Sequence, residues 1–272
     1  MSAKLPQPAL HRFLDESGDA VFFGKGGVDV IGNEGVSWCF GLTMAKFNTP
    51  LQELREQILS LQASVESDGY VNGHPSIVKR IQKGGFYFHA KDDPPEVRER
   101  MYKWIKGTDC SVEMVVGRKI PEIFVKKHNK NDSEFYADLL SHLLKNKFQL
   151  GVRLVLNVAD RGATTRNHVL QMAESKAKER FCKTKDPALI ASKIAFNVTT
   201  PRREPLLAVP DYLGWAVQRI FERGDTRYYD YIRDRISVVV DIYDHSKYHR
   251  NRHYYTPKNP LTAANKIGPP SP

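Results

Sequence analysis

The chain has 272 residues, 41% of them hydrophobic and 10% aromatic, which suits a packed globular core and argues against an unfolded chain. Its net charge is +10, from 41 Lys and Arg against 31 Asp and Glu, and a basic balance of this kind points toward a polyanionic partner. No apolar run approaches the ~18 residues of a membrane span, the opening "MSAKLPQPALHRF" lacks the apolar centre of a secretory signal, and three scattered cysteines without a CxxC exclude a disulfide framework or structural zinc site. The expectation is a cytoplasmic protein with no membrane attachment.

In chain order, "HRFL" reads as a strand that ends at Asp15. A Gly-rich stretch, "GKGGVDVIGNEG", follows as a hairpin loop containing a short strand, and "VSWCFGLTMAKF" is a second strand. Leu51, Leu54, Ile58 and Leu61 fall at helical spacing in "TPLQELREQILSLQASVES". "GGFYFHA" reads as a short strand that ends near His89, and "DDPPEVRERMYKWIKG" as a helix with Asp92 and Asp93 as capping residues before Pro94. "CSVEMVVGRK" alternates like a strand, and "DSEFYADLLSHLLKNK" has the pattern of a helix. "VRLVLNVADRG" is apolar on both faces, the mark of a central strand covered by helices on each side. A helix at "TTRNHVLQMAESKAKERFC", a strand at "KIAFNVT", a helix at "VPDYLGWAVQRIFERGD" and a late strand at "ISVVVDIYD" complete the pattern.

Early strands joined directly and later strands joined through helices predict one α/β domain with a mixed sheet flanked by helices, over residues 1–244. Residues 245–272 carry Lys247, Arg250, Arg252, Lys258 and Lys266 with no acid, interleaved with Tyr248, Tyr254 and Tyr255. They read as a basic, flexible tail suited to stacking on single strands or to docking on a partner.

Chemistry concentrates at the ends of elements. "RFLDESGDAVFF" sets Asp15, Glu16 and Asp19 just behind an apolar pair, where an unpaired charge is costly. Asp160 ends the strand "VRLVLNVAD", and Asp211 opens the helix "PDYLGWAVQRI". If the two strands are parallel neighbours, Asp15 and Asp160 share one edge of the sheet, and a helix packed across that edge brings Asp211 to them. Such carboxylates are what phosphodiester cleavage with hard divalent cations requires. Each also has an ordinary reading: an Asx turn with Gly18 at positive φ, a turn at "DRG", a helix N-cap. Glu16 falls on the opposite side of the strand from Asp15, and Asp19 reads as turn chemistry. His89 is a candidate general acid or base, and Lys91 and Arg161 are candidate phosphate contacts.

The ordered set "FLDESGD", "FHAKDD", "VLNVADRG" and "VPDYLGWAVQR", spanning Phe13 to Arg219, resembles the bacterial family catalogued as domain of unknown function 3800, assigned to the ribonuclease H-like superfamily. The resemblance implies a ribonuclease H-like fold and a divalent-metal-dependent nuclease, using Mg²⁺ or Mn²⁺, in a bacterial defence or toxin-like setting. It carries metal-ligating roles to Asp15, Asp160 and Asp211, and catalytic roles to Glu16 and His89. A further helical Glu found in many such enzymes has only Glu96 and Glu99 as counterparts by order, and both look solvent-facing. The alternative is a non-catalytic module of the same fold that binds nucleic acid or a protein partner.

Overall fold

A computed structural model describes residues 9–148, 153–160, 167–181, 194–244 and 253–268. Seven strands form one mixed sheet in the order β5-β4-β1-β2-β3-β6-β7. They are β1 (Ala9–Gly18), β2 (Cys39–Phe47), β3 (Cys110–Arg118), β4 (Arg153–Ala159), β5 (Ile194–Thr199), β6 (Ile236–Ile242) and β7 (Tyr254–Tyr255). β1, β2 and β3 form an antiparallel meander, and β4 joins β1 in parallel on its other side. Parallel pairs β4–β5 and β3–β6 extend the sheet both ways, and β7 closes one edge antiparallel to β6.

Alternation along β1 divides the core. Phe13 belongs to one apolar cluster and Leu14 to the other, so the sheet is a middle layer with a helical layer on each face. The Phe13 face carries α1 (Leu51–Ser67), α2 (Pro75–Gln82), α3 (Pro95–Gly107), α7 (Ala208–Arg223) and α8 (Arg227–Ile232). The Leu14 face carries α4 (Pro121–His128), α5 (Asp132–Leu144) and α6 (Asn167–Phe181). Among the described residues, no helix is long and apolar enough to cross a membrane.

α7 lies against β1 and β2 through Gly214. A Cβ at that position would stand 2.5 Å from Thr43 Oγ1, so any larger residue must push the helix away. Thr43 is the cross-strand partner of Asp15, which places Asp15 on the face that α7 covers.

Three expectations need correction. β1 continues to Gly18, so Asp15 lies inside the strand rather than at its end. Residues 84–90 form no strand, although Phe86 and Phe88 are buried in alternation with more accessible neighbours. Their amides are taken by side chains instead of a ladder: Phe86 N–H donates to Glu66, His89 N–H to Asp93 and Ala90 N–H to Asp211. The described part of the tail, 253–268, is folded onto the domain rather than free. Tyr255 pairs opposite Val239, Leu261 is 2% exposed, and Ile267 N–H donates to the Phe221 carbonyl at 2.7 Å. The physical reason is that β6 leaves a strand edge to be covered, and Tyr255, Leu261 and Ile267 supply apolar anchors for that cover. Leu261→Ala is expected to cost about 2–5 kcal/mol in urea unfolding, while Lys258→Ala, on the exposed turn, leaves stability unchanged; equal effects would show that the segment is not docked.

Candidate active-site cleft

A cleft of about 720 Å³ opens where β1 ends, between α7, the 35–37 segment and the loop around His89. The α7 wall follows from helical spacing: Asp211, Trp215, Gln218 and Glu222 stand at i, i+4, i+7 and i+11, on one stripe, with Arg219 and Arg223 beside it. The rest of α7 is apolar and buried, so only this stripe faces the opening. Glu16, Ser17, Gly18 and Asp19 enter from the end of β1, and His89, Lys91 and Arg98 from the opposite side. Gly18 has φ +80°, and a Cβ there would meet the Cys39 carbonyl at 2.4 Å, so the strand leaves the sheet through a glycine at this point.

The acids of the cleft are held by different partners. Asp19 accepts from Ser37 N–H at 2.7 Å and from Lys119 Nζ at 2.7 Å. Burial works against its charge, but Lys119 and Ser37 outweigh it and hold the carboxyl below the usual range. Its Oδ1 also accepts from Val21 N–H, the turn chemistry expected of it. Glu222 Oε1 receives the amides of Trp38 at 2.8 Å and Cys39 at 3.2 Å; burial nevertheless raises its pKa. Asp211 Oδ2 accepts from Ala90 N–H at 2.8 Å, tying the His89 loop to the first turn of α7.

That loop has a second anchor, which the sequence pattern disguised. Asp93 is 2% exposed and caps nothing; Pro94 is the residue at the N-cap of α3, with no side-chain cap. Asp93 accepts instead from His89 N–H at 2.9 Å, from the Tyr212 hydroxyl, and pairs with Arg80 at 2.6 Å. Burial raises its pKa despite Arg80, and burial with Asp93 alongside pushes the Tyr212 phenol well up. Asp92 lies 3.5 Å from His89 Nδ1, also outside a capping role.

The sequence candidates are distributed as follows. Glu16, His89, Lys91 and Asp211 share the cleft. Asp15 is 5% exposed; its Oδ1 accepts from Glu16 N–H at 2.8 Å, and the buried hydroxyl oxygens of Ser17 and Thr43 on the same face have no hydrogen-bond partner among the described residues. The β1–β4 ladder is parallel, which meets the condition for a shared edge, and its last pair is Leu14 with Val158. Continuing it sets Asp15 abreast of Ala159 and Glu16 abreast of Asp160. Asp160 is exposed, its N–H donates to the Thr199 carbonyl, and it is not among the described residues lining the cleft. Arg161 lies outside the described residues. Glu96 and Glu99 are exposed on α3, where Glu99 pairs with Lys103 at 2.6 Å.

Sequence reading found Lys91 but missed the arginines of the cleft. Arg98 Cζ stands 4.9 Å and Arg219 Cζ 4.8 Å from the centre of the Trp215 ring, which itself meets Tyr228 edge-on at 4.8 Å. Arg98 donates to the Ala90 carbonyl at 3.0 Å, and Arg219 pairs with Asp225. The i, i+4 relation of Trp215 and Arg219 was the one available signal.

Among the described residues, no three His, Cys, Asp or Glu side chains group closely enough to hold a metal ion. A cation here would need water and substrate oxygens to complete its shell. Comparison with protein-family models, curated proteins and solved structures finds no match to the chain.

Asp93→Ala strips an acceptor from Arg80, Tyr212 and His89 N–H together. It is expected to cost about 3–5 kcal/mol, with Asp93→Asn milder, measured by urea unfolding. A loss below about 1 kcal/mol, the scale of an exposed pair, would show that Asp93 does not hold the loop.

Proposed function

We propose that this protein is a nucleic-acid phosphodiesterase of ribonuclease H-like fold that works with Mg²⁺ or Mn²⁺. The observation that carries the reading is the composition of one cleft: Asp211 and His89 line it together with Lys91, Arg98, Arg219 and Arg223 beyond the end of β1. Cations beside carboxylates suit a phosphate that must be both held and attacked. The meander β1–β3 and the parallel β4 and β5 beyond β1 support the fold assignment, as does the order of the motifs from Phe13 to Arg219.

The donors fit a hard cation of a particular kind. Mg²⁺ is commonly bound by one or two carboxylates together with water and substrate phosphate oxygens, rather than by a protein cage. Asp211 in the cleft and Asp15, on the β1 face that α7 covers, are oxygen donors suited to that mode. When bound, the cation would stabilise negative charge at the phosphorus and lower the pKa of a bound water.

The chain's own residues do the rest. Lys91, exposed and without an ion pair among the described residues, holds and neutralises the phosphodiester, with Arg98 and Arg219 packed on Trp215 beside it. Water adds to phosphorus, the ester P–O bond breaks, and the leaving oxygen takes a proton. His89, held through its own amide by Asp93 and flanked by Asp92, is the group positioned to donate that proton. Asp211 fixes the same loop through Ala90 N–H while keeping a carboxylate in the cleft.

A second reading, a module that binds nucleic acid without cutting it, is favoured by the lack of three grouped ligands among the described residues. Labelled DNA, RNA and hybrid oligonucleotides incubated with Mg²⁺, Mn²⁺ or EDTA separate the two. The nuclease reading expects cleavage with metal, none with EDTA, and a loss of about 10²-fold or more for Asp211→Asn and His89→Ala. Binding without cleavage of any substrate would establish the module; cleavage undiminished by EDTA would remove the metal.

A further inference from the structure

The cleft follows α7 along its length. Asp211 and Arg223 are twelve residues apart, or about 18 Å at the helical rise. Two cations stand at its ends: Lys91, one residue past the Ala90 amide bound by Asp211, and Arg223 in the last turn of α7. Both are exposed, and neither forms an ion pair among the described residues. The other cationic groups of the cleft are committed. Arg219 is paired with Asp225, and Arg98 is bonded to the Ala90 carbonyl, with both guanidinium groups packed on Trp215. A row of this kind has free charges at two ends and ring-packed cations between them.

Size and shape decide what such a row takes. A volume of about 720 Å³ is that of a small-ligand site, enough for a few nucleotides of one strand. A duplex is read by an element that enters its major groove, about 12 Å wide. α7 is unable to do so, because its apolar side is buried from Ala208 to Phe221 and only its recessed stripe is open. Guanidinium planes packed against an aromatic ring serve as platforms for unpaired bases, a use that requires bases outside a stack.

We infer that the cleft binds single-stranded nucleic acid laid along α7, with Lys91 and Arg223 contacting phosphates at its two ends and Arg98, Trp215 and Arg219 forming the platform between them. The inference rests on the nucleic-acid reading above, though not on cleavage.

The test is binding of fluorescently labelled single-stranded 12-mers, of DNA and of RNA, and of the matching duplexes, to the full chain in EDTA at several salt concentrations. The wild type is expected to bind the single strand at least tenfold more tightly than the duplex. Lys91→Gln and Arg223→Gln each reduce the log–log salt slope by about 0.7, the value for one phosphate contact on a single strand, and the double variant by twice that. Both side chains are exposed, so the fold is not at stake. Duplex bound as tightly as single strand, slopes unchanged in the variants, or a mononucleotide competing as well as the 12-mer would each overturn the inference. EDTA removes catalysis from the measurement. Preferential single-strand binding with the expected slopes therefore supports the inference even if no substrate is cut, whereas cleavage with metal but unaltered slopes refutes it and leaves the nuclease standing.

Discussion

The approach of α7 to β1 and β2 at Gly214 is the contact on which the site depends. With no side chain at 214, the helix lies directly over Thr43, and Ser17 is within 3.6 Å of where a Cβ would sit. The helix therefore passes close to the strand that carries Asp15 and Glu16, and its stripe from Asp211 to Glu222 becomes a wall of the opening. A larger residue at 214 would not need to touch any charged group to separate the two halves of the cleft. The buried apolar side of α7 supplies the force that holds it down, since burial of its Leu, Val, Ile and Phe side chains contributes about 1.5–3 kcal/mol each.

Around that contact, acids fix backbone rather than one another. Asp211 takes the Ala90 amide, Asp93 the His89 amide, Glu222 the amides of Trp38 and Cys39, and Asp19 that of Ser37. Each carboxylate thus satisfies a donor in a loop that would otherwise lack a ladder. The loops are set by these bonds from α7, β1 and α3, so the cleft has fixed edges although its rim is irregular chain. The cations are arranged with similar economy: two are packed over Trp215, and two are left exposed at the ends.

Periodicity alone made much of the sheet legible. Apolar alternation located β2, β3 and β6, and a two-sided apolar run located β4; the parallel pairing of β1 with β4, only a condition in the sequence reading, is seen in the sheet itself. Segment 84–90 shows where that reasoning runs out. Phe86 and Phe88 alternate as in a strand, but the amides of Phe86, His89 and Ala90 go to carboxylate side chains, two of them distant in sequence, which no local pattern reveals. Asp93 beside Pro94 has the look of a cap, yet its role is set by Arg80 and Tyr212, on two other helices. The docked segment 253–268 was obscured by its basic, Pro-rich composition, which hid three apolar anchors. Glu16, His89, Lys91 and Asp211, candidates from their places at element ends and from the order of the motifs, line the cleft. Arg98, Trp215, Arg219 and Glu222 have ordinary amphipathic spacing, and only the packing of α7 and α3 gives them a shared surface.

The central claim is that the β1 acids and α7 together form one functional site for a cation and a nucleic-acid strand. The most direct measurement is anomalous diffraction from crystals grown with Mn²⁺ and a short single-stranded oligonucleotide bearing a non-hydrolysable linkage. The account predicts an anomalous peak in the cleft, bonded to carboxylate oxygens from β1 and Asp211 and to a phosphate oxygen of a strand lying along α7. An ordered strand bound elsewhere on the molecule, or a Mn²⁺ peak away from both β1 and α7, would contradict it.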